Sequence, residues 1–296
     1  VQRDAPLPGV THVSGTNLAA SVRARLRNLA TAEGIDFGAV LTRYGLERML
    51  YRLSISEDRN SFLLKGALLF DVWFDTPTRP TRDIDLLGLG PADDERIARV
   101  FREACAAIVD DGMAFDPDSV LTADIRKTAG YPGIRVTMHG DLDGARIHVQ
   151  VDIGFGDVVT PVPEEVTFPV LLEEMPRPVL AGYPKPTAIS EKREAIVRLG
   201  RVNSRVKDHF DLWWLLVIDR CPAADVCPAV LATFERRGTD IPEDVPVGLS
   251  EEYASDPRVL AQWRAFVTRN QLSVPALPEL LGQLREAVVP MLEQAR

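Results

Sequence analysis

Thr81-Arg82-Asp83-Ile84-Asp85-Leu86-Leu87 is the stretch on which the reading of this chain turns. Ile84 to Leu87 reads as a strand. Side chains separated by one position on a strand face the same way, so Asp83 and Asp85 share a face and Ile84 turns into the core. Two carboxylates so placed make an oxygen site of the kind Mg²⁺ takes alongside phosphate and water. Transfer of a nucleotidyl group is a chemistry that needs such a site. It requires positioning of a triphosphate and neutralisation of charge at the attacked phosphorus, and two divalent ions about 4 Å apart do both.

Working outward, a phosphate cradle should precede the acid pair. Phe62-Leu63-Leu64-Lys65-Gly66 is an apolar run ending in Gly, with a helix expected over 67–74. Gly lets a backbone approach a phosphate, and a helix N-terminus offers free N–H groups. Lys65, Gly66, Ala67 and Arg82 are therefore candidate nucleotide-binding residues, and Arg79 adds a possible phosphate contact. A third carboxylate should come from a neighbouring strand. Asp152, in Val149-Gln150-Val151-Asp152-Ile153-Gly154, is the candidate, because a lone acid between aliphatic residues is costly unless it is paired or bound to metal. The bland alternative is a strand-end Asp capping a turn at Gly154. Thr81 is either a strand-entry residue or a hydroxyl whose modification would add negative charge beside the acids.

The chain has 296 residues, 46% hydrophobic and 26% charged, with a net charge of −9. That is ordinary for a globular protein and argues against one dominated by nucleic-acid binding, though not against a local basic patch. No apolar run approaches the ~20 residues that span a bilayer, and Val1 to Gly15 lacks a signal-peptide layout. Cys105, Cys221 and Cys227 form no metal-site spacing and read as incidental thiols. A cytoplasmic protein with no membrane contact is expected.

Along the chain, residues 1–15 read as an arm, and 16–57 as helical with an arginine-bearing outer surface (Arg23, Arg25, Arg27, Arg43, Arg48, Arg52). Pro91 to Asp110 is a helix with Ile97, Val100, Phe101, Ala104 and Ile108 on one side. Residues 117–153 read as several strands, with a hairpin turn at Asp141 to Gly144. Prolines punctuate 161–186, which reads as a connection with one or two short strands. Beyond Ala188 the pattern is helical, with Pro222, Pro228, Pro242 and Pro246 separating helices. The expected organisation is an α/β catalytic unit with N-terminal helices over 1–165 and a mainly helical unit over 166–296.

Taken together, these residues resemble a known family. Phe62-Leu63-Leu64-Lys65-Gly66-Ala67-Leu68-Leu69-Phe70, then Arg79-Pro80-Thr81-Arg82-Asp83-Ile84-Asp85, then Glu191-Lys192-Arg193-Glu194-Ala195 and Ser204-Arg205-Val206-Lys207-Asp208-His209-Phe210-Asp211-Leu212 look like the AbiEii-type nucleotidyltransferase toxins. These belong to the polymerase-beta-like superfamily and include the mycobacterial MenT toxins. The resemblance covers roughly 20–215. It implies an α+β fold, a polymerase-beta-like mixed sheet with flanking helices, plus a helical C-terminal half. It implies metal (Mg²⁺ or Mn²⁺) on Asp83 and Asp85, a triphosphate-contacting Lys192, and Asp208 as the acid of the fourth motif, with Asp211 its rival one helical turn on. The superfamily usually places Ser beside Gly66, where this chain has Ala67, so a phosphate contact there is limited to backbone N–H. The implied activity is transfer of NMP from an NTP to RNA, the tRNA 3′ end, by a toxin with a separate antitoxin partner.

From the residues alone, Lys192 is a solvated helical charge or lies inward, being four from Ala188 and Ile196. Arg193, Arg198, Arg201, Arg205 and Lys207 read as a solvated face or as a patch for RNA. His139, His148 and His209 read as structural. Trp213-Trp214 packs the helical half or stacks a base. Three other functions fit the acids: nucleotidylation of a protein hydroxyl, a nucleotide-binding regulator without turnover, which Ala67 permits, and a DxD-type glycosyltransferase.

Overall fold

A computed structural model describes residues 15–74, 79–125, 132–202 and 205–294. The expected N-terminal arm, and part of the loop before Arg79, lie outside them. The helical opening resolves into α1 (Gly15–Glu33) and α2 (Phe37–Ser54). Gly34 breaks it at φ +67°, and Asp36 starts α2 by accepting the Ala39 N–H at 2.9 Å.

Seven strands follow: β1 (Phe62–Lys65), β2 (Ile84–Gly88), β3 (Ala114–Asp124), β4 (Gly133–Leu142), β5 (Ala145–Phe155), β6 (Glu164–Thr167) and β7 (Val179–Gly182). They form one mixed sheet in the order β3-β4-β5-β2-β1-β7-β6. Both β2–β5 and β1–β7 pair in parallel. The β4–β5 hairpin turns at Asp143 and Gly144, with φ +51° and +77°, two left-handed residues that match the twist of the flanking strands. Its register follows from that turn.

Helices α3 (Leu68–Trp73) and α4 (Asp94–Ala106) lie within the sheet half. The helical half comprises α5 (Lys185–Leu199), α6 (Val206–Trp213), α7 (Ala223–Arg237), α8 (Glu251–Ser255), α9 (Pro257–Arg269) and α10 (Leu277–Gln294). One apolar cluster runs from Val22 to Tyr183. A second gathers Ile189 to Met291 and takes in Phe70 of α3. The fold is thus a mixed sheet with flanking helices followed by a helical half. The sheet continues through Gly182, past residue 165. Among the described residues no helix is long and apolar enough to cross a membrane.

Several expectations need correction. Arg48 and Arg52 are not on an outer surface. They are 0% and 1% exposed, because α2 packs on β5 so closely that a Cβ on Gly45 would meet Ile147 at 2.7 Å. Their charges are matched inside. Arg48 pairs with Glu47 at 2.7 Å. Arg52 makes a two-pronged pair with Asp111 at 2.6 and 3.1 Å and donates to Met113 O at 2.9 Å. Helix α4 ends at Ala106, so Ile108 lies beyond it and is 97% exposed. Pro228 sits inside α7 rather than between helices. Gly154 lies within β5, so Asp152 caps no turn there.

Removing one partner of a buried pair strands the other charge. Asp111→Ala should therefore cost about 3–5 kcal/mol in urea unfolding. A loss below about 1 kcal/mol would show that Arg52 finds water or another acceptor.

Candidate active site

Three registers build the acid side of the site. Lys65 pairs with Asp85 between β1 and β2, Asp85 with Asp152 between β2 and β5, and Asp152 with Arg135 between β5 and β4. Directly paired residues project from the same face. The sheet thus carries a row of Lys65, Asp85, Asp152 and Arg135. Asp83 stands one step before β2, and its Oδ1 accepts the Thr81 hydroxyl at 2.7 Å.

Gly66 makes this row possible. It turns the chain out of β1 at φ +74°, and a Cβ there would lie 2.1 Å from Asp85 Oδ2. The turn therefore rests directly against the carboxylate. The following helix α3 has only six residues, and its Leu69 and Phe70 N–H groups already donate to Gly66 and Ala67. The dipole of so short a helix is weak, so an anion contact here rests on the backbone N–H groups of the turn itself. Ala67 is buried and Arg82 is exposed.

Lys65 has a different task from the one expected. Its Nζ donates to Asp157 at 3.0 Å and to both Glu191 oxygens at 3.4 Å. Burial opposes its charge, but Glu191, Tyr183 and Asp157 more than compensate and hold its pKa above the usual lysine value. Arg237 of α7 joins them, contacting Asp157 at 2.9 Å, Glu191 at 3.2 Å and Glu194 at 2.7 Å. This clasp ties β1 and the end of β5 to α5 and α7.

The cation side comes from the helical half and from the loop before β2. Lys192 contacts Asp211 at 2.5 Å and Asp208 at 3.4 Å. Arg79, from the loop before the acids, grips Asp211 with two bonds of 2.7 and 2.8 Å. Asp211 is 0% exposed; burial opposes its charge, and Arg79 and Lys192 hold it well below the usual carboxylate range. Arg205 pairs with Asp208 at 3.3 Å. Of the two rivals, Asp211 is the carboxylate that carries both cations. Arg79 also feels Asp208 and Asp85, and Lys207 acts on Asp85, so the two sides face each other.

The acids fit a divalent cation. Burial, and then the charge of Asp83, push the Asp85 pKa up. Two close carboxylates with that mutual cost are hard oxygen donors whose repulsion a divalent ion relieves. Asp152, the expected third acid, is paired with Arg135, each of its oxygens accepting one N–H at 2.8 Å. Among the described residues no three Asp, Glu, His or Cys side chains converge as a metal cluster. A separate cavity of about 430 Å³ beside Asp93, Asp94, Glu95 and Asp124 excludes Asp83 and Asp85, and its acids would repel phosphate.

The expected basic patch is reduced. Arg193 is 3% exposed. Arg198 pairs with Glu194 and Arg201 with Glu252. His209 is buried against Gly248 O, and Trp213 donates to Gln283, so both serve packing. The sequence reading missed the Arg79–Asp211 grip, the Asp157–Arg237 clasp and the Arg135–Asp152 pair. Only the last had a signal, since counting back from the Asp143-Gly144 turn sets Arg135 opposite Asp152.

The profile of the family described as "Nucleotidyl transferase AbiEii toxin, Type IV TA system" matches residues 48–286. The chain belongs to this family. The AbiEii match begins within α2 and ends within α10, so it takes in the acid pair, Lys192 and Asp211. Among solved structures, the chain is similar to MenT4, a nucleotidyltransferase toxin from Mycobacterium tuberculosis, at 19% identity and TM-score 0.52, over 93% of this chain and 99% of that one. It is also similar to a structure from H. pylori described as a candidate nucleotidyltransferase, at 12% identity and TM-score 0.51, over 88% of this chain and 97% of that one. These likenesses establish a shared fold. No curated protein matches the chain.

Gly66→Ala should cost at least about 1–2 kcal/mol from the left-handed backbone alone, with more from the Asp85 contact. Urea unfolding at parity with wild type would show that the turn relaxes freely. A second expectation follows from Asp157, whose pKa is depressed: burial opposes its charge, but Lys65 and Arg237 prevail. Its stabilisation is present above the ordinary carboxylate value of 3.8 and is lost as pH falls. The unfolding penalty of Asp157→Asn should therefore be large at about pH 6 and smaller at about pH 3. An equal penalty at both would remove Asp157 from the clasp.

Proposed function

We propose that this AbiEii-family chain transfers NMP from an NTP to an RNA acceptor, the 3′ end of tRNA, with release of pyrophosphate. The single observation that carries this reading is the meeting of two oppositely charged groups. Asp85 lies on β2 with Asp83 just before it, Arg79 and Lys192 are both held on Asp211, and Arg79 and Lys207 reach Asp85 electrostatically.

Asp83 and Asp85 would hold Mg²⁺ or Mn²⁺, which when bound supplies charge neutralisation on the phosphates. Arg79 and Lys192 receive the triphosphate. Asp211 orients both before substrate arrives, and preorganised donors are worth more than ones that must be gathered. The turn at Gly66 and Ala67 presents backbone rather than a side chain to the nucleotide. The clasp of Lys65, Glu191, Asp157 and Arg237 fixes α5, and so the position of Lys192. Blocking the tRNA end would prevent aminoacylation and stop growth, and a separate antitoxin protein would restrain the toxin. The two-part organisation, sheet half and helical half, suits a cleft that holds nucleotide between them. A cytoplasmic setting fits this substrate.

One observation favours a second acceptor. Arg193 is buried and Arg198 is ion-paired with buried Glu194, which leaves Arg201, Arg205 and Lys207 as the exposed positive charge of the expected patch. A protein hydroxyl is the alternative acceptor.

Incubation with each α-labelled NTP, total tRNA and total protein, followed by separation, distinguishes the two. Label in tRNA is expected with wild type, falling by at least about 10²-fold in Asp83→Ala or Lys192→Ala, the scale of losing a major electrostatic group. Label in protein alone would favour the second reading. Label retained in Asp83→Ala would contradict both.

A further inference from the structure

The third carboxylate is where the site departs from a two-ion arrangement. Nε and Nη2 of Arg135 donate to different oxygens of Asp152, each at 2.8 Å. The contact is fixed by the sheet, since the two residues are direct partners in the β4–β5 hairpin. A planar guanidinium matches a carboxylate with two parallel bonds and stays charged at any working pH. Those bonds take one lone pair on each oxygen and fix the carboxylate's orientation, and the guanidinium's positive charge repels a metal ion.

The row of Lys65, Asp85, Asp152 and Arg135 contains two cations and two acids. Lys65 is drawn off to Asp157 and Glu191, and Arg135 closes on Asp152. Asp85 is left beside Asp83. The Arg135 side chain is 43% exposed and the Asp152 side chain 17%, so the guanidinium borders the opening of the site rather than the core.

We propose that Arg135 takes the place of a second metal ion on Asp152. The chain then holds one divalent ion, on Asp83 and Asp85, with a fixed guanidinium beside it. This rests on the metal reading of Asp83 and Asp85.

Mn²⁺ binding to the purified full chain, followed by electron paramagnetic resonance without nucleotide, tests it. The double variant Arg135→Gln/Asp152→Asn, which removes both charges, should leave Mn²⁺ affinity within about threefold, whereas losing a true ligand would cost at least the ~10–100-fold seen for outer-shell partners. Arg135→Gln frees Asp152 and should tighten Mn²⁺ binding by about tenfold or more, on the same scale. The gain should vanish in the double variant Arg135→Gln/Asp152→Asn. Arg135→Lys keeps a cation near Asp152 and should gain less than Arg135→Gln. A marked weakening in the double variant Arg135→Gln/Asp152→Asn, or no gain in Arg135→Gln, overturns the proposal. If the wild type binds no Mn²⁺, or Asp83→Ala binds it equally well, the metal reading of Asp83 and Asp85 fails instead.

Discussion

Everything at this site depends on the close approach of the β1 turn to Asp85. Gly66 lies so near that any side chain at its position would strike the carboxylate. Asp85 is thereby pressed between backbone on one side and the neighbouring strand on the other. Burial and then Asp83 oppose its charge, while Lys207 and Lys65 favour it. Thr81 steadies Asp83, Lys207 acts on Asp85 from α6, and the Arg79–Lys192 pair stands across the gap. Asp83 and Asp85 bring negative charge from the β2 side, while Arg79 and Lys192 gather on Asp211 of α6.

The two halves are held in that relation by charge as well as by packing. The clasp of Lys65, Asp157, Glu191, Glu194 and Arg237 joins β1, the end of β5, α5 and α7. Phe70 and Phe74 add apolar contact, since Phe70 packs in the helical cluster and Phe74 meets Trp214 at 6.0 Å. Glu191 and Lys192 are chain neighbours with opposite duties. Glu191 anchors α5 to the sheet, and Lys192 faces Asp208 and Asp211. Lys65 on β1 is thereby tied to α5 through Glu191.

The fold was legible where local pattern and burial agree. The alternation of Ile134 to Met138 and Arg146 to Ile153, with a Gly-bearing turn between, gave the hairpin. The apolar run before Gly66 and the Asp83-Ile84-Asp85 spacing gave β1, β2 and the acid pair. Reading failed where long-range partners decide. An arginine every few residues along α2 looks like a wet face, yet Arg48 and Arg52 are buried because Glu47 and Asp111 meet them inside. Lys65 beside a glycine looks like a phosphate ligand until Asp157 and Glu191, far along the chain, are brought to it. Asp211 looked secondary to Asp208, because nothing local shows that Arg79 and Lys192 converge on it.

Crystals soaked with Mn²⁺ and a non-hydrolysable NTP test the central claim most directly, through anomalous scattering. One peak is expected at ~2.1 Å from carboxylate oxygens of both Asp83 and Asp85, with the triphosphate running toward Arg79 and Lys192. A peak at Asp208 or Asp211, or a triphosphate bound away from the acid pair, would contradict it.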